Sequence, residues 1–213
     1  PLPINCEDHE NICGTSITDL ELDSEGNLYV VGNYREHLKW GEEIISGYEK
    51  NGFVAKLDIN GEWEWIFDFG NDGDEKFLWA RTIALDTNNN IYIGGSYAGD
   101  TTIGNTTFSH DNGITYANGD LAQNGFITKL NSAGSWIWSK NISNEDSLSE
   151  VSDLVVDSKG DILVVIIGCG QITLDDLSFT MSPDDIFTGC TNDAAIVKLS
   201  NSGDWLWVSQ TSS

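Results

Sequence analysis

An all-β fold made of three repeated four-stranded antiparallel units is predicted by three features of this sequence. One motif returns three times with the same grammar, at residues 51–65, 124–138 and 193–207. No run of ten or more residues sustains a helical period, while β-branched and aromatic residues are frequent. Glycine is abundant (22) and proline scarce (3), as in chains that turn often.

The motif explains itself. Each copy runs through Lys-Leu (Lys56-Leu57, Lys129-Leu130, Lys198-Leu199), then a polar or turn-forming triplet, a glycine (Gly61, Gly134, Gly203), one residue, and Trp-x-Trp. An apolar run, turn chemistry and a second apolar run predict an antiparallel hairpin, with the glycine at a positive φ. Alternation along the second strand places Trp63 with Trp65, Trp136 with Trp138, and Trp205 with Trp207 on one face. These six indoles are the expected packing surface between neighbouring units.

Taken in order, residues 1–15 form a polar arm that Cys6 and Cys13 could pin. The first repeat, 16–77, opens on the alternating strand Ile17 to Asp23, turns at 24–27 and returns from Leu28 to Tyr34. A less regular segment follows, and the Trp hairpin closes the repeat. The second repeat, 78–148, copies this with Ala80 to Asp86, a turn at 87–90 and a return from Ile91 to Tyr97. The third, 149–213, runs from Val151 to Asp157, turns at 158–161 and returns from Ile162 to Ile167. Between Gly99 and Asn124 the second repeat carries an insertion rich in Gly, Asn, Asp and Thr, and insertions in arrays gather on one face. The third repeat departs twice, with Ile166 in place of Gly32 and Gly95, and Ala194-Ala195 in place of Gly-Phe. Terminal repeats of arrays are often adapted in this way.

The order of strand, Asp-led turn, strand ending Gly-x-Tyr, Gly-Phe-Val/Ile-x-Lys-Leu and Gly-x-Trp-x-Trp resembles the SBBP-type β-propeller repeats of bacterial and archaeal secreted and cell-surface proteins. The resemblance spans about residues 16–210. It implies three propeller-type blades packed face to face, forming an incomplete propeller or part of a larger array. Quinoprotein propellers and the sialidase Asp-box fit less well, since the residues around Gly61 to Trp65 do not keep their spacing, so neither chemistry transfers.

Composition narrows the partners. With 34 acidic against 10 basic side chains the formal charge is −24, which repels nucleic acid and anionic lipid. No stretch approaches the ~20 apolar residues of a membrane helix, so membrane insertion is not expected. The first residues lack an initiator Met and a signal-like segment, as in a chain already processed or cut from a longer precursor. Four cysteines form two local pairs, Cys6 with Cys13 and Cys169 with Cys190. Without CxxC spacing and with scattered His9, His37 and His110, zinc is a poor reading. Disulfides in an oxidising, extracellular or cell-surface setting are the better one, against buried thiols in a cytosolic protein.

Candidate chemistry is sparse. Asp72, Asp74 and Glu75 crowd oxygen ligands as Ca²⁺ would require, but without a Ca²⁺-loop spacing, and a solvated linker is the plainer account. Asn105 and Asn141 head N-glycosylation sequons. Tyr29, Tyr34, Tyr92 and Tyr97 could grip a sugar or peptide, or pack between units. No nucleophile, acid and base can be assigned together, and no cofactor motif appears, so catalytic residues and cofactors are expected to be absent. The expected role is a non-enzymatic extracellular structural module, a self-assembling scaffold, adhesive domain or filament subunit, forming a homo-oligomer or polymer. The alternatives are a glycan- or Ca²⁺-binding module and a fragment of a secreted propeller hydrolase or lyase.

Overall fold

In the computed structural model the chain is all-β, and residues 14–40, 43–46, 51–70, 77–109, 122–144, 148–181 and 193–210 are described. The strands of the first repeat are β1 (Gly14–Leu22), β2 (Leu28–Arg35), β3 (His37–Trp40), β4 (Glu43–Ser46), β5 (Asn51–Leu57) and β6 (Trp63–Phe69). Those of the second are β7 (Phe77–Leu85), β8 (Ile91–Ala98), β9 (Thr101–Ile103), β10 (Thr106–Phe108), β11 (Asn124–Leu130) and β12 (Trp136–Asn144). The third repeat supplies β13 (Ser149–Val156), β14 (Ile162–Gly168), β15 (Gln171–Leu174), β16 (Leu177–Thr180), β17 (Asp193–Leu199) and β18 (Trp205–Gln210).

Each repeat folds its four principal strands into one antiparallel sheet. Sheet I has the order β1-β2-β5-β6, sheet II contains β7-β8-β11-β12 and sheet III has β13-β14-β17-β18. The segment that reads as irregular between the second and third principal strands of each repeat holds a short hairpin: β3-β4, β9-β10 or β15-β16. Two of these hairpins reach back to the preceding sheet. β15 pairs with β12 through Ser143 with Thr173 and Asn144 with Ile172, and Gly70, just past β6, bridges to Thr102 in β9.

The turns form for one recurring reason. In the first hairpin of each repeat an Asp opens the turn, and its carboxylate accepts the backbone N–H groups two and four residues on. Asp23 takes Glu25 and Asn27, Asp86 takes Asn88 and Asn90, and Asp157 takes Lys159 and Asp161. This is the Asx-turn chemistry that favours Asp and Asn at turn starts. The Trp hairpins repeat the device with Asp58 and Asn131. Their glycines adopt the expected left-handed backbone, with φ of 80°, 80° and 90° at Gly61, Gly134 and Gly203.

One expectation from the motif is corrected. The paired tryptophans do not share a face, because a β-bulge lies between them. Leu57 pairs with Trp63 while the adjacent Lys56 pairs with Trp65, so Glu64 is an extra residue, and Ile137 and Leu206 are extra at the matching places. An inserted residue shifts the alternation by one. Trp65 and Trp136 consequently pack into one hydrophobic cluster between sheets I and II, and Trp138 and Trp205 into another between sheets II and III. Trp63 joins the cluster on the opposite face of sheet I. Each Trp-x-Trp is therefore a two-sided connector, its first indole directed to the preceding interface and its second to the following one.

The third repeat's two departures compensate one another. Gly32 pairs across the strands with Phe53, Gly95 with Phe126, and Ile166 with Ala195. A Cβ on Gly32 or Gly95 would stand 2.7 or 2.9 Å from the ring of its phenylalanine. In sheet III the bulk has moved to the opposite strand, and Ile166 and Ala195 lie together in the core between sheets II and III. One bulky and one small partner fill the same volume in all three sheets.

Candidate association faces

Inner strands carry the polar stitching between sheets. The Asp19 carboxylate, at a bulge in β1, accepts the N–H of Leu20 on its own strand at 2.8 Å. It also accepts the N–H of Ile83 in β7 at 2.9 Å and the Thr82 hydroxyl at 3.1 Å. The Asn33 side chain clasps the Ala80 backbone, accepting from its N–H at 2.8 Å and donating to its carbonyl at 3.0 Å. Asp153 occupies the place of Asp19 in sheet III, where it accepts from Leu154 N–H and, at 3.4 Å, competes with Asp19 for the single Thr82 hydroxyl proton.

The interface between sheets II and III adds a buried polar network. Asp86 accepts the Tyr92 hydroxyl at 3.1 Å, and Tyr92 accepts from Asn201 Nδ2 at 2.9 Å. Lys129 lies 5.1 Å above the Tyr92 ring and donates to the Asn201 side chain and carbonyl at 2.7 and 3.1 Å. Asn201 sits on the turn of the third repeat's Trp hairpin, so this network locks one repeat to the next. Burial pulls the Lys129 ammonium below its ordinary pKa, with Asp86 opposing the shift. Burial raises the Tyr92 hydroxyl too, aided by the Asp86 charge.

The matched site between sheets I and II is less complete. Tyr29 occupies the place of Tyr92, but Ser132 stands where Asn201 would be, and among the described residues the buried Tyr29 hydroxyl has the Lys56 ammonium nearby but no well-formed hydrogen bond. Ser132→Asn supplies the missing amide. The expected result is a gain of about 1 kcal/mol, the worth of one net hydrogen bond, read as a rise of roughly 2–4 °C in the melting midpoint. An unchanged midpoint would show that the longer side chain does not reach Tyr29.

Turn carboxylates make stability depend on pH. Asp86 is pushed up by burial, but the Asn90 side chain, the N–H groups of Asn90 and Asn88 and the Tyr92 hydroxyl outweigh that and leave it below its ordinary value. Asp23 is lowered in the same manner by Asn27 and Glu25. A carboxylate depressed in the folded state stabilises it above the unfolded pKa and loses that contribution as pH falls through the folded value. Urea midpoints are therefore expected to hold from pH 7 to about pH 5 and to fall steeply below about pH 4. A midpoint that rises on acidification would contradict these partners.

The two ends of the stack differ from its interior. Positions 17, 20 and 22 of β1 match 80, 83 and 85 of β7 and 151, 154 and 156 of β13. Ala80, Ile83, Val151 and Leu154 are buried against the preceding sheet, and Leu85 and Val156 pack at its margin. Ile17, Leu20 and Leu22 instead remain 52%, 54% and 61% exposed. At the other end, Val155 and Ile196 are 53% and 44% exposed, although their counterparts Ala84, Val54 and Ile127 are buried. Trp207 is also exposed, whereas Trp65 and Trp138 pack between sheets. The outer part of the sheet I front face is already closed, with Val30, Tyr34, Leu38, Phe53 and Ala55 in one buried cluster.

Glycines of the Trp hairpins report the same asymmetry. A Cβ on Gly134 would strike the Phe67 ring of sheet I at 2.1 Å, and one on Gly203 would meet the Trp138 ring of sheet II at 3.2 Å. Each of these turns presses on the sheet before it. A Cβ on Gly61 would meet nothing within 4 Å.

Other candidate residues fall as follows. Cys169 is disulfide-bonded and buried at the end of sheet III, while Cys6, Cys13 and Cys190 lie outside the described residues. Asp72, Asp74 and Glu75 also lie outside them, as do His9 and His110. Among the described residues no cluster of three or more His, Cys, Asp or Glu could hold a metal ion. His37 faces Ser46 across the β3-β4 hairpin at 3.2 Å. Asn105 is exposed on the β9-β10 turn, and the half-buried Asn141 accepts the Tyr97 hydroxyl at 2.8 Å. Tyr29, Tyr34, Tyr92 and Tyr97 are all buried. Burial also pushes the Tyr97 hydroxyl up to about 12. Among the described residues no helix is long and apolar enough to cross a membrane.

No family model matches this chain, and no curated protein matches it. Among solved structures it is similar to a protein of unknown function from Bacteroides caccae, with 11% sequence identity and a TM-score of 0.38. The similarity covers 92% of this chain, which spans 61% of that one.

Proposed function

We propose that this chain is a non-enzymatic structural module of SBBP-like β-propeller blades, working outside the cell or at its surface, whose task is to associate through its end faces. The observation that carries this reading is the exposure of Ile17, Leu20 and Leu22 at one end and of Val155, Ile196 and Trp207 at the other. Their counterparts Ala80, Ile83, Val151, Leu154, Ala84, Val54 and Ile127 inside the stack are buried, and contiguous apolar exposure on a folded surface marks an interaction site.

Curvature supports the propeller reading. The inner strands β1 and β7 are stitched by direct hydrogen bonds from Thr18 to the Ala80 carbonyl and from Ile83 to Asp19. The outer strands are held apart by indoles and by the inserted hairpins. Sheets tight at one edge and wedged at the other fan about the tight edge, as propeller blades do. The buried Cys169 disulfide fits an oxidising compartment.

Light scattering after size exclusion, with negative-stain microscopy, tests the proposal. The expected result is an associated species at micromolar concentration that strengthens with added salt, because apolar contact must overcome a charge of −24 on each copy. A compact monomer at every concentration and ionic strength would remove the assembly role.

A further inference from the structure

We propose that the cavity between the inner strands of sheets I and II binds a small aromatic carboxylate, its ring lodged against Trp79 and its carboxylate paired with Arg35. This ligand role is independent of association through the end faces.

The cavity holds about 260 Å³ and is lined by Gly14, Thr15 and Ser16 at the start of β1, Tyr34 and Arg35 at the end of β2, and Trp79 in β7. An apolar cavity of about 150 Å³ takes a benzene, and sites for drug-sized ligands begin near about 300 Å³. The space therefore suits one ring with a short side arm.

The other repeats do not share this spot. Gly14 pairs across the strands with Arg35, whereas the matched pair in sheet II is Phe77 with Ala98. The large partner has changed strands and chemistry, from a ring to a guanidinium. Thr15 likewise stands where sheet II buries Leu78. The residue after Arg35 departs as well. Gly99 and Gly170 hold that place in the second and third repeats, with φ of 81° and 72°, but Glu36 occupies it at a φ of 64°. The left-handed region is costly for a residue with a Cβ, and such outliers cluster at functional sites and ligand clamps. The departures of the first repeat thus meet at one end of β1 and β2.

Most polar groups around the cavity are already spent. The Asn33 amide is taken up by the Ala80 backbone, and the Tyr34 hydroxyl donates to Asp68 at 3.0 Å. Arg81 lies 5.8 Å from the Trp79 ring centroid and is itself held by Glu150 at 2.8 Å. Arg35 differs. Among the described residues it makes no ion pair, although the chain carries 34 acidic side chains. A guanidinium fork meets a planar carboxylate with two parallel hydrogen bonds. A doubly charged phosphate would be repelled more strongly by a chain of charge −24. A neutral sugar would bury hydroxyls against walls whose amide and phenol are already engaged.

The test is a ligand-observed NMR titration of the 213-residue chain with phenylacetate. Benzyl alcohol supplies the ring without the charge, acetate the charge without the ring, and phenyl phosphate the ring with a double charge. Phenylacetate is expected to bind with a dissociation constant of about 1 mM, the scale for about ten heavy atoms, and each control at least tenfold more weakly. Arg35→Ala should remove the preference for phenylacetate over benzyl alcohol. A Cβ on Gly14 meets nothing within 4 Å, so Gly14→Phe can restore the ring that sheet II carries, and it should abolish binding. Urea midpoints check that both variants fold, and Thr15→Leu fills the same space should Gly14→Phe not fold. Equal binding of benzyl alcohol, tighter binding of phenyl phosphate, or full phenylacetate affinity in Arg35→Ala would overturn the carboxylate assignment. Full affinity in the filled variant would overturn the site. Binding of none of the four probes would overturn the whole proposal while leaving the assembly role standing.

Discussion

Replacing Asp86 with alanine is expected to cost about 3–5 kcal/mol, the scale for removing one member of a buried charged network. Its carboxylate accepts the N–H groups of Asn88 and Asn90 at 2.8 and 3.0 Å, Asn90 Nδ2 at 2.7 Å and Tyr92 at 3.1 Å. Alanine removes the acceptor of all four donors, of which the Tyr92 hydroxyl is fully buried, and leaves the buried Lys129 ammonium without its nearby counter-charge. Against a domain stability of about 5–15 kcal/mol, the loss should appear as a large fall in the urea midpoint. Asp157 holds the same turn position in the third repeat, where it accepts from Lys159 and Asp161 and pairs with Lys198 nearer to solvent. Asp157→Ala should therefore cost much less. Equal losses at the two positions would mean that the turn alone, and not the network between sheets, sets the value of Asp86.

That contrast shows where the sequence speaks and where it falls silent. Asp23, Asp86 and Asp157 are readable as turn residues because the chemistry is local, and the hairpins, their glycines and the all-β class follow from equally local patterns. The link from Asp86 through Tyr92 to Asn201 joins residues more than a hundred positions apart, and no local pattern announces it. The bulge at Glu64, Ile137 and Leu206 misled the reading of Trp-x-Trp, because period-two alternation carries no mark of an inserted residue. The inserted hairpins escaped for a related reason. β9 and β10 are only three residues each, too short for alternation to rise above a loop-like composition. The end faces were half visible, since repetition implies stackable sheets, but the choice of Ile17, Leu20, Ile196 and Trp207 as the exposed members needed the register.

The exchange of bulk between Ile166 and Ala195 gives the second large effect. Ile166→Gly should cost about 3–5 kcal/mol, from the lost side chain and its cavity together with about 0.5–1 kcal/mol for glycine within a strand. Ala195→Phe alone should cost about 1–3 kcal/mol by overpacking the same space. Combined, the two recreate the Gly-Phe pair of sheets I and II. The double variant should therefore be more stable than the sum of the single losses predicts, by about 1–3 kcal/mol of coupling. The reverse exchange in sheet II, Gly95→Ile with Phe126→Ala, should show no such rescue. There the glycine faces the Trp79 carbonyl as well as the ring, with a Cβ falling 1.9 Å from that oxygen, and shortening Phe126 cannot move a backbone. Additive losses in sheet III would mean that the two departures arose independently, and that each sheet fills its core by its own arrangement rather than by one shared volume.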